Sequence, residues 1–210
     1  MSAEFWIMLF ILLFAALWLL GMLAFEWLRQ RQVRTLAAAL GLRFRRRDPD
    51  LPRRYGLPRL SVARNVLDGR HEGYPIWVFD WYPRHYTCFL VEHQSFFPAL
   101  HIHPRDEETH IPLAEDGGIA FESVEFTRAF HVQCADRKFA YAVCHPRIME
   151  YLLRYPDSVV DIEAGCIELS ITRNRHFLPA KEIPERLHEL VEIRNLLPAY
   201  LFADYAKERP

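Results

Sequence analysis

From Phe5 to Phe25 the chain reads FWIMLFILLFAALWLLGMLAF, 21 residues without one charged side chain. As a helix this run rises about 31 Å at about 1.5 Å per residue, which matches a hydrocarbon core of roughly 30 Å. Everything C-terminal to it must then fold on one side of a bilayer, as a body attached to an anchor. A cleaved signal peptide is the competing reading. It calls for a positive n-region and a small-residue cleavage site, whereas Glu4 is the sole charge ahead of the run and no A-x-A stands directly after it. The segment is therefore expected to stay as a single-pass anchor, with Trp6 and Trp27 at the two interfaces.

The flanks orient the anchor. Beyond the span lie Arg29, Arg31 and Arg34, then Arg43, Arg45, Arg46, Arg47, Arg53 and Arg54. An arginine excess marks the cytoplasmic side, so the expectation is an inner-membrane protein with its N-terminus outside and its C-terminal body in the cytoplasm. Arg29, Arg31, Arg34, Arg43, Arg45, Arg46 and Arg47 are the candidate membrane-surface residues, able to meet anionic headgroups as well as to set topology. The lipid bilayer is thus the first expected partner. Gly21 with Ala15, Ala16 and Ala24 offers small residues to a second helix, which leaves room for a homodimer through the transmembrane helix, although no strict GxxxG is present. A formal net charge of -1 supplies no global basic field, and few aromatics interleave the arginines, which argues against a nucleic-acid partner.

Composition divides the chain into a transmembrane helix over 1–28, a juxtamembrane helix and basic connector over 29–58, and a cytosolic α+β domain over 59–210. Glu26 to Leu40 is rich in good helix formers and Gly41 stands where a helix ends, so the span should continue into a stalk. RRRDPDLPRRYGLP, Arg45 to Pro58, reads as an irregular connector because of its prolines and charges. SVARNVL and YPIWVFDWY, Ser61–Leu67 and Tyr74–Tyr82, flank DGRHEG as a hairpin. TCFLVEHQ and ALHIH add strands, and SVVDIE and CIELSIT form a further hairpin. Asp136 is a good N-cap for a helix over Arg137 to Val143, and Pro146 suits the first position of the next. Pro184 opens a C-terminal helix that Pro198 should break. Hairpins with helices grouped later favour α+β over a parallel βαβ sheet, with a pleckstrin-homology-like sheet as a fold-level comparison.

Two stretches, ARNVLDGRHEGYPIWVFDW (Ala63–Trp81) and FESVEFTRAFHVQCADRKFAYAVCHPRIMEYLL (Phe121–Leu153), resemble a family of bacterial single-pass membrane-anchored proteins with a cytosolic α+β domain and no assigned function. The positions that carry the resemblance are Gly69, Phe79, Asp80, Phe126, Phe130, Val132, Phe139, Ala140, Pro146 and Leu152. They are mainly apolar or turn residues. The resemblance implies the anchor and the body, and brings no catalytic set.

Candidate chemistry is sparse. Cys88, Cys134, Cys144 and Cys166 form no CxxC pair and read as reduced, mostly buried thiols. Cys144 and His145 adjoin, but neighbours in sequence point apart, so the pair reads as the joint between two helices and not as nucleophile and base. His101 and His103, at i and i+2, project from one face of a strand; with His93 and His110 near in sequence they are the candidate metal ligands. Asp80, mid-strand among aromatics, needs an arginine or a turn amide. No Walker loop, GxSxG, HExxH or GxGxxG is present, and no cofactor is implied. The leading expectation is a non-enzymatic, membrane-tethered binding or accessory module that recruits a protein partner or membrane complex, or engages inner-leaflet headgroups. The alternative is a metal-dependent or hydrolytic enzyme using the His93–His110 region.

Overall fold

The computed structural model describes residues 3–51, 62–82, 86–105, 118–163, 165–171 and 177–205. One unbroken helix, α1 (Ala3–Ala39), carries the apolar run and continues beyond it. Its apolar half is bare: Phe10, Phe14, Leu17 and Leu20 are each more than half exposed, and by length and composition this helix can cross a membrane. Its second half is not a free stalk. Val33 and Ala37 are fully buried in the main core, and Arg29 is buried as well. Gly41 at φ +66° lets the chain reverse at the helix end, where the Leu42 N–H donates to the Ala37 carbonyl at 2.8 Å. The expected juxtamembrane stalk is therefore part of the body, because one helical stripe after Glu26 is apolar enough to be covered by the sheet.

The reading of an irregular basic connector is also corrected at its start. Arg43–Asp48 forms β1, an edge strand antiparallel to β2 (Val62–His71). Its sequence, RFRRRD, lacks strand propensity, but its register is tied by ion pairs: Arg43 and Arg45 both reach Asp68, at 2.5 and 3.0 Å, and Arg45 also reaches Asp48 at 2.6 Å. Charged side chains on an edge strand discourage pairing with another chain. From position 52 onward that connector, with Arg53 and Arg54, lies outside the described residues.

Six further strands complete one antiparallel sheet: β3 (Tyr74–Tyr82), β4 (Tyr86–Glu92), β5 (Leu100–Pro104), β6 (Phe130–Cys134), β7 (Ser158–Glu163) and β8 (Cys166–Ile171). The order is β1-β2-β3-β4-β8-β7-β5-β6. The hairpin joining β2 and β3 is tighter than the expected loop. The strands run to His71 and Tyr74, and Glu72 and Gly73, at φ +48° and +88°, make a two-residue turn.

Helices cover one face. They are α2 (Val124–Ala129), α3 (Arg137–Val143), α4 (Pro146–Leu153), α5 (Ile183–Leu196) and α6 (Ala199–Asp204). Ile76, Val78, Phe89, Val91, Ile102, Val160, Ile167 and Leu169 alternate inward from the sheet against Phe126, Phe139, Leu152, Leu187 and Leu190. Each fully buried side chain of this size contributes about 1.5–3 kcal/mol. The opposite face carries a smaller cluster of Leu51, Ala63, Val66, Phe79, Trp81, Cys88 and Leu90, confined to the β2–β4 side. The α+β expectation holds, as does that of a C-terminal helix lying on an antiparallel sheet, the feature behind the pleckstrin-homology comparison.

The Cys144–His145 joint has the expected form. Asp136 caps α3 by accepting from the Phe139 N–H at 3.0 Å, Cys144 closes α3, His145 opens α4, and Pro146 takes its first turn. Cys144 is buried, and burial pushes its thiol up to about 12. It is not a thiolate nucleophile in this setting.

Candidate functional site

Three groups of side chains stand out from ordinary packing. The first is the junction between α1 and the sheet. A bulge in β2 between Arg64 and Leu67, with Asn65 at φ +50°, turns the Asn65 amide onto Asp80, to which it donates at 2.8 Å. The Arg29 guanidinium donates to both Asp80 oxygens, at 2.8 and 3.1 Å, and to the Leu178 carbonyl. Thr87 donates to Asp80 at 2.9 Å and accepts from the Leu178 N–H at 3.0 Å. One turn earlier on α1, Glu26 accepts from Arg64 and from the Tyr82 hydroxyl, each at 3.4 Å. Arg29, expected at the membrane surface, is instead a buried partner of Asp80. Arg43 and Arg45 are held by Asp68, whereas Arg31, Arg34, Arg46 and Arg47 are exposed.

The second group lies on the sheet face away from the helices. Leu100 and Ile102 face the main core, so His101 and His103 face the other way. Asp161 is the cross-strand partner of His101, and His131 is the cross-strand partner of His103. The His101 Nδ1 lies 2.6 Å and the His103 Nε2 3.2 Å from the same Asp161 oxygen. Burial alone pushes the Asp161 carboxyl up, but the hydrogen bonds from His101 and His103 outweigh it and hold the group below the usual carboxylate range. The bond to Asp161 in turn holds His101 above its ordinary value, against its desolvation. His131 is pulled down by burial and by the charges of Arg105 and His103.

His93 does not join this cluster. It sits on the helix-covered side, its ring centroid 4.6 Å from that of Phe97 and 5.8 Å from that of Phe202, while its Nδ1 accepts from the Ser95 N–H at 3.2 Å. His110 lies outside the described residues. The expected His101–His103 pair is thus brought together with Asp161 in place of His93, a carboxylate 60 positions away that periodicity alone does not reveal.

The third group was not legible beforehand. A cleft of about 650 Å³, lined by Tyr74, His145, Arg147, Arg194, Asn195 and Phe202 among others, opens where α4 begins and α5 ends. The Arg194 guanidinium carbon lies 3.8 Å from the Phe202 ring centroid and 4.9 Å from that of Tyr74. Its Nε is buried with no acceptor among the described residues, and burial pulls its pKa down. The half-buried Arg45, Arg64 and Arg186 and the buried Arg29 each meet a carboxylate; among the described residues Arg194 meets none. The cleft lies at the opposite end of β3 from Tyr82, about 27 Å away at about 3.4 Å per residue.

No family model matches the chain, and no curated protein matches it. A solved structure does match: the crystal structure of the mycobacterial trehalose monomycolate transport factor A, TtfA. The TM-score is 0.61 at 14% identity, over 86% of this chain and 97% of that one. At that identity the likeness establishes a shared fold, a β-sheet body with packed helices, and leaves the resemblance read from the two quoted stretches without a family model behind it.

Proposed function

We propose that this chain is a membrane-tethered, non-enzymatic accessory module, whose body is seated against the cytoplasmic face of the inner membrane and engages a partner through the Arg194 cleft. The observation that carries the reading is the fixing of α1 to the sheet through Arg29 and Asp80, one turn beyond the exposed apolar run. A flexible tether needs no such contact. A helix locked this way transmits the position and orientation of the span directly to the body, which suits a part that must sit at a fixed height in a membrane assembly. The cleft at the far end of β3 suits an acidic group on that partner, since Arg194 and Arg147 line it with His145 and no carboxylate is among its lining residues. Arg31, Arg34, Arg46 and Arg47 are left to meet anionic headgroups. The structural neighbour is a transport factor, and an accessory role beside a membrane transport assembly is the reading it lends through the shared fold alone.

Limited trypsin digestion of the full chain in detergent tests the lock. Arg31 and Arg34 lie on the outside of a docked helix, so cleavage there requires local opening. Asp80→Asn should leave the chain in the membrane fraction but raise cleavage at those two sites at least tenfold. Unchanged cleavage would mean that α1 and the body are held by packing elsewhere, and the fixed-height reading would fail. In cells, a cysteine introduced at the exposed Glu150 should resist membrane-impermeant labelling while one near residue 2 labels; the reverse pattern overturns the orientation.

A further inference from the structure

We propose that His101, His103 and Asp161 form a binding site for one divalent transition metal of the zinc class, on the sheet face away from the helices. The inference is independent of the docking reading above. Three adjacent positions of the ladder build it: two imidazoles two residues apart on β5, and a carboxylate directly across on β7. The three donor atoms lie within 4.8 Å of one another. Two of the separations are already short, 2.6 Å from Asp161 to His101 and 3.2 Å from Asp161 to His103. Metal–ligand bonds of about 2.0–2.2 Å in a tetrahedron place donor atoms about 3.3 Å apart. Both short separations fall below that value, by about 0.7 Å or less, so ligation asks for side-chain adjustments that open the cluster and no change of register.

Two imidazole nitrogens converging on a single carboxylate oxygen create a focus of electron pairs that a cation satisfies. Two nitrogens nearby stand without a partner among the described residues: the His103 Nδ1 and the His131 Nε2 are both buried, and His103 itself is only 5% exposed. Buried polar atoms without partners are uncommon, and each costs about 1–3 kcal/mol. His131 is the cross-strand neighbour of His103, and Gly118 runs so close over it that a Cβ there would stand 2.7 Å from its ring. His103 and His131 are therefore held in an enclosed setting, while the partly exposed His101 leaves the cluster open to solvent on one side. Nitrogen-rich ligation of this kind selects zinc-like metals over calcium or magnesium, which favour oxygen cages.

The test uses the full chain in detergent, stripped of metal by a chelator, then titrated with Zn²⁺ by calorimetry and with Co²⁺ by visible absorption. The expected result is one equivalent per chain with micromolar or tighter affinity, and ligand-field bands for Co²⁺. Asp161→Asn and His101→Gln should each weaken Zn²⁺ binding by at least about tenfold, whereas His93→Gln should leave it unchanged. His101 is the more exposed of the two imidazoles, so His101→Gln is the variant least exposed to a folding defect; circular dichroism of each variant in the metal-free state checks this. The proposal is overturned by absence of saturable binding below about 100 μM, or by one-equivalent binding that survives both Asp161→Asn and His101→Gln in folded protein.

Discussion

Arg29 and Arg194 are the same side chain in two removed environments, and they are treated in opposite ways. Arg29 is enclosed by acceptors: both oxygens of Asp80 and the Leu178 carbonyl, with Thr87 at the margin of hydrogen-bond range. Arg194 is flanked by the rings of Phe202 and Tyr74, and its Nε has no acceptor among the described residues. A charge taken from water must be paired at close range or it destabilises the fold. The first arginine meets that requirement inside the molecule, which is what a structural joint needs. The second does not, and the cation–π contacts, at about 0.5–2 kcal/mol each, replace only part of the lost hydration. Charge alone therefore does not tell which arginine is fully paired within the fold. The completeness of the acceptor set does.

The contrast is open to breakage at its strong end first. Removing one partner of the buried pair, as in Asp80→Ala, should cost about 3–5 kcal/mol because Arg29 is left buried and uncompensated. The double replacement Arg29→Met with Asp80→Leu should recover the part of that loss due to the unpaired charge, while Asn65 and Thr87 still lose their acceptor. Denaturant unfolding of the two singles and the double measures the coupling, and additive losses would show that the two groups act independently.

Acid sensitivity sharpens the comparison at the other arginine. Burial, with the charge of Arg194 adding to it, pulls His93 down to about 4 from its ordinary value of 6.5. An unfolded imidazole takes up a proton near pH 6.5 that the folded one refuses until about pH 4. The unfolded chain then binds more protons, and stability falls as pH drops through that window. Thermal melts of wild type and His93→Gln between pH 7 and 4 should diverge in their acid limbs, with the variant losing less. Arg194→Gln should also lessen the loss, because it removes a repulsive charge. Superimposable limbs would mean that His93 is not held neutral by this setting.

A smaller effect is expected on stability from Arg194→Gln itself at neutral pH. Losing ring contacts is offset by relief of an unpaired desolvated charge, so the change should lie within about 1 kcal/mol of zero, while recovery of a bound partner falls severalfold. A destabilisation as large as that of Asp80→Ala would place Arg194 with the structural arginines. The smallest effect belongs to the exposed Arg46 and Arg47, where replacement by Ser should change folding by less than about 0.5 kcal/mol. Each is expected to contribute about 1 kcal/mol of attraction to an anionic vesicle at low salt. Sedimentation of a body lacking residues 1–25 with neutral and anionic vesicles distinguishes the two contributions, and equal binding to both removes the headgroup idea.

Much of the fold was legible because it rests on local chemistry. An apolar run long enough for a bilayer, a capping Asp136, prolines at 146, 184 and 198, and alternation along Ile167–Ile171 act over a few residues, and the helices and strands form where those signals stand. Strand β1 was missed because RFRRRD has no alternation of its own, and it is ordered by Asp68, a residue of the next strand. The candidate ligands were half legible: the i, i+2 spacing of His101 and His103 identified a common face, while His93 had to be replaced by Asp161.

Residue type and short-range spacing were enough for the long apolar helix, the α+β character, the boundaries of the capped and proline-opened helices, and the absence of any familiar catalytic motif; helix α2 (Val124–Ala129) was not among them. Only the tertiary structure decided the role of every long-range charge. Arg29 meets Asp80 across 51 positions, His101 meets Asp161 across 60, and Arg194 stands between two rings with no acid beside it among the described residues. The physical reason is that an electrostatic partner is chosen by proximity in a medium of low dielectric, and the distances that matter are created by strand order and helix docking and not by the chain.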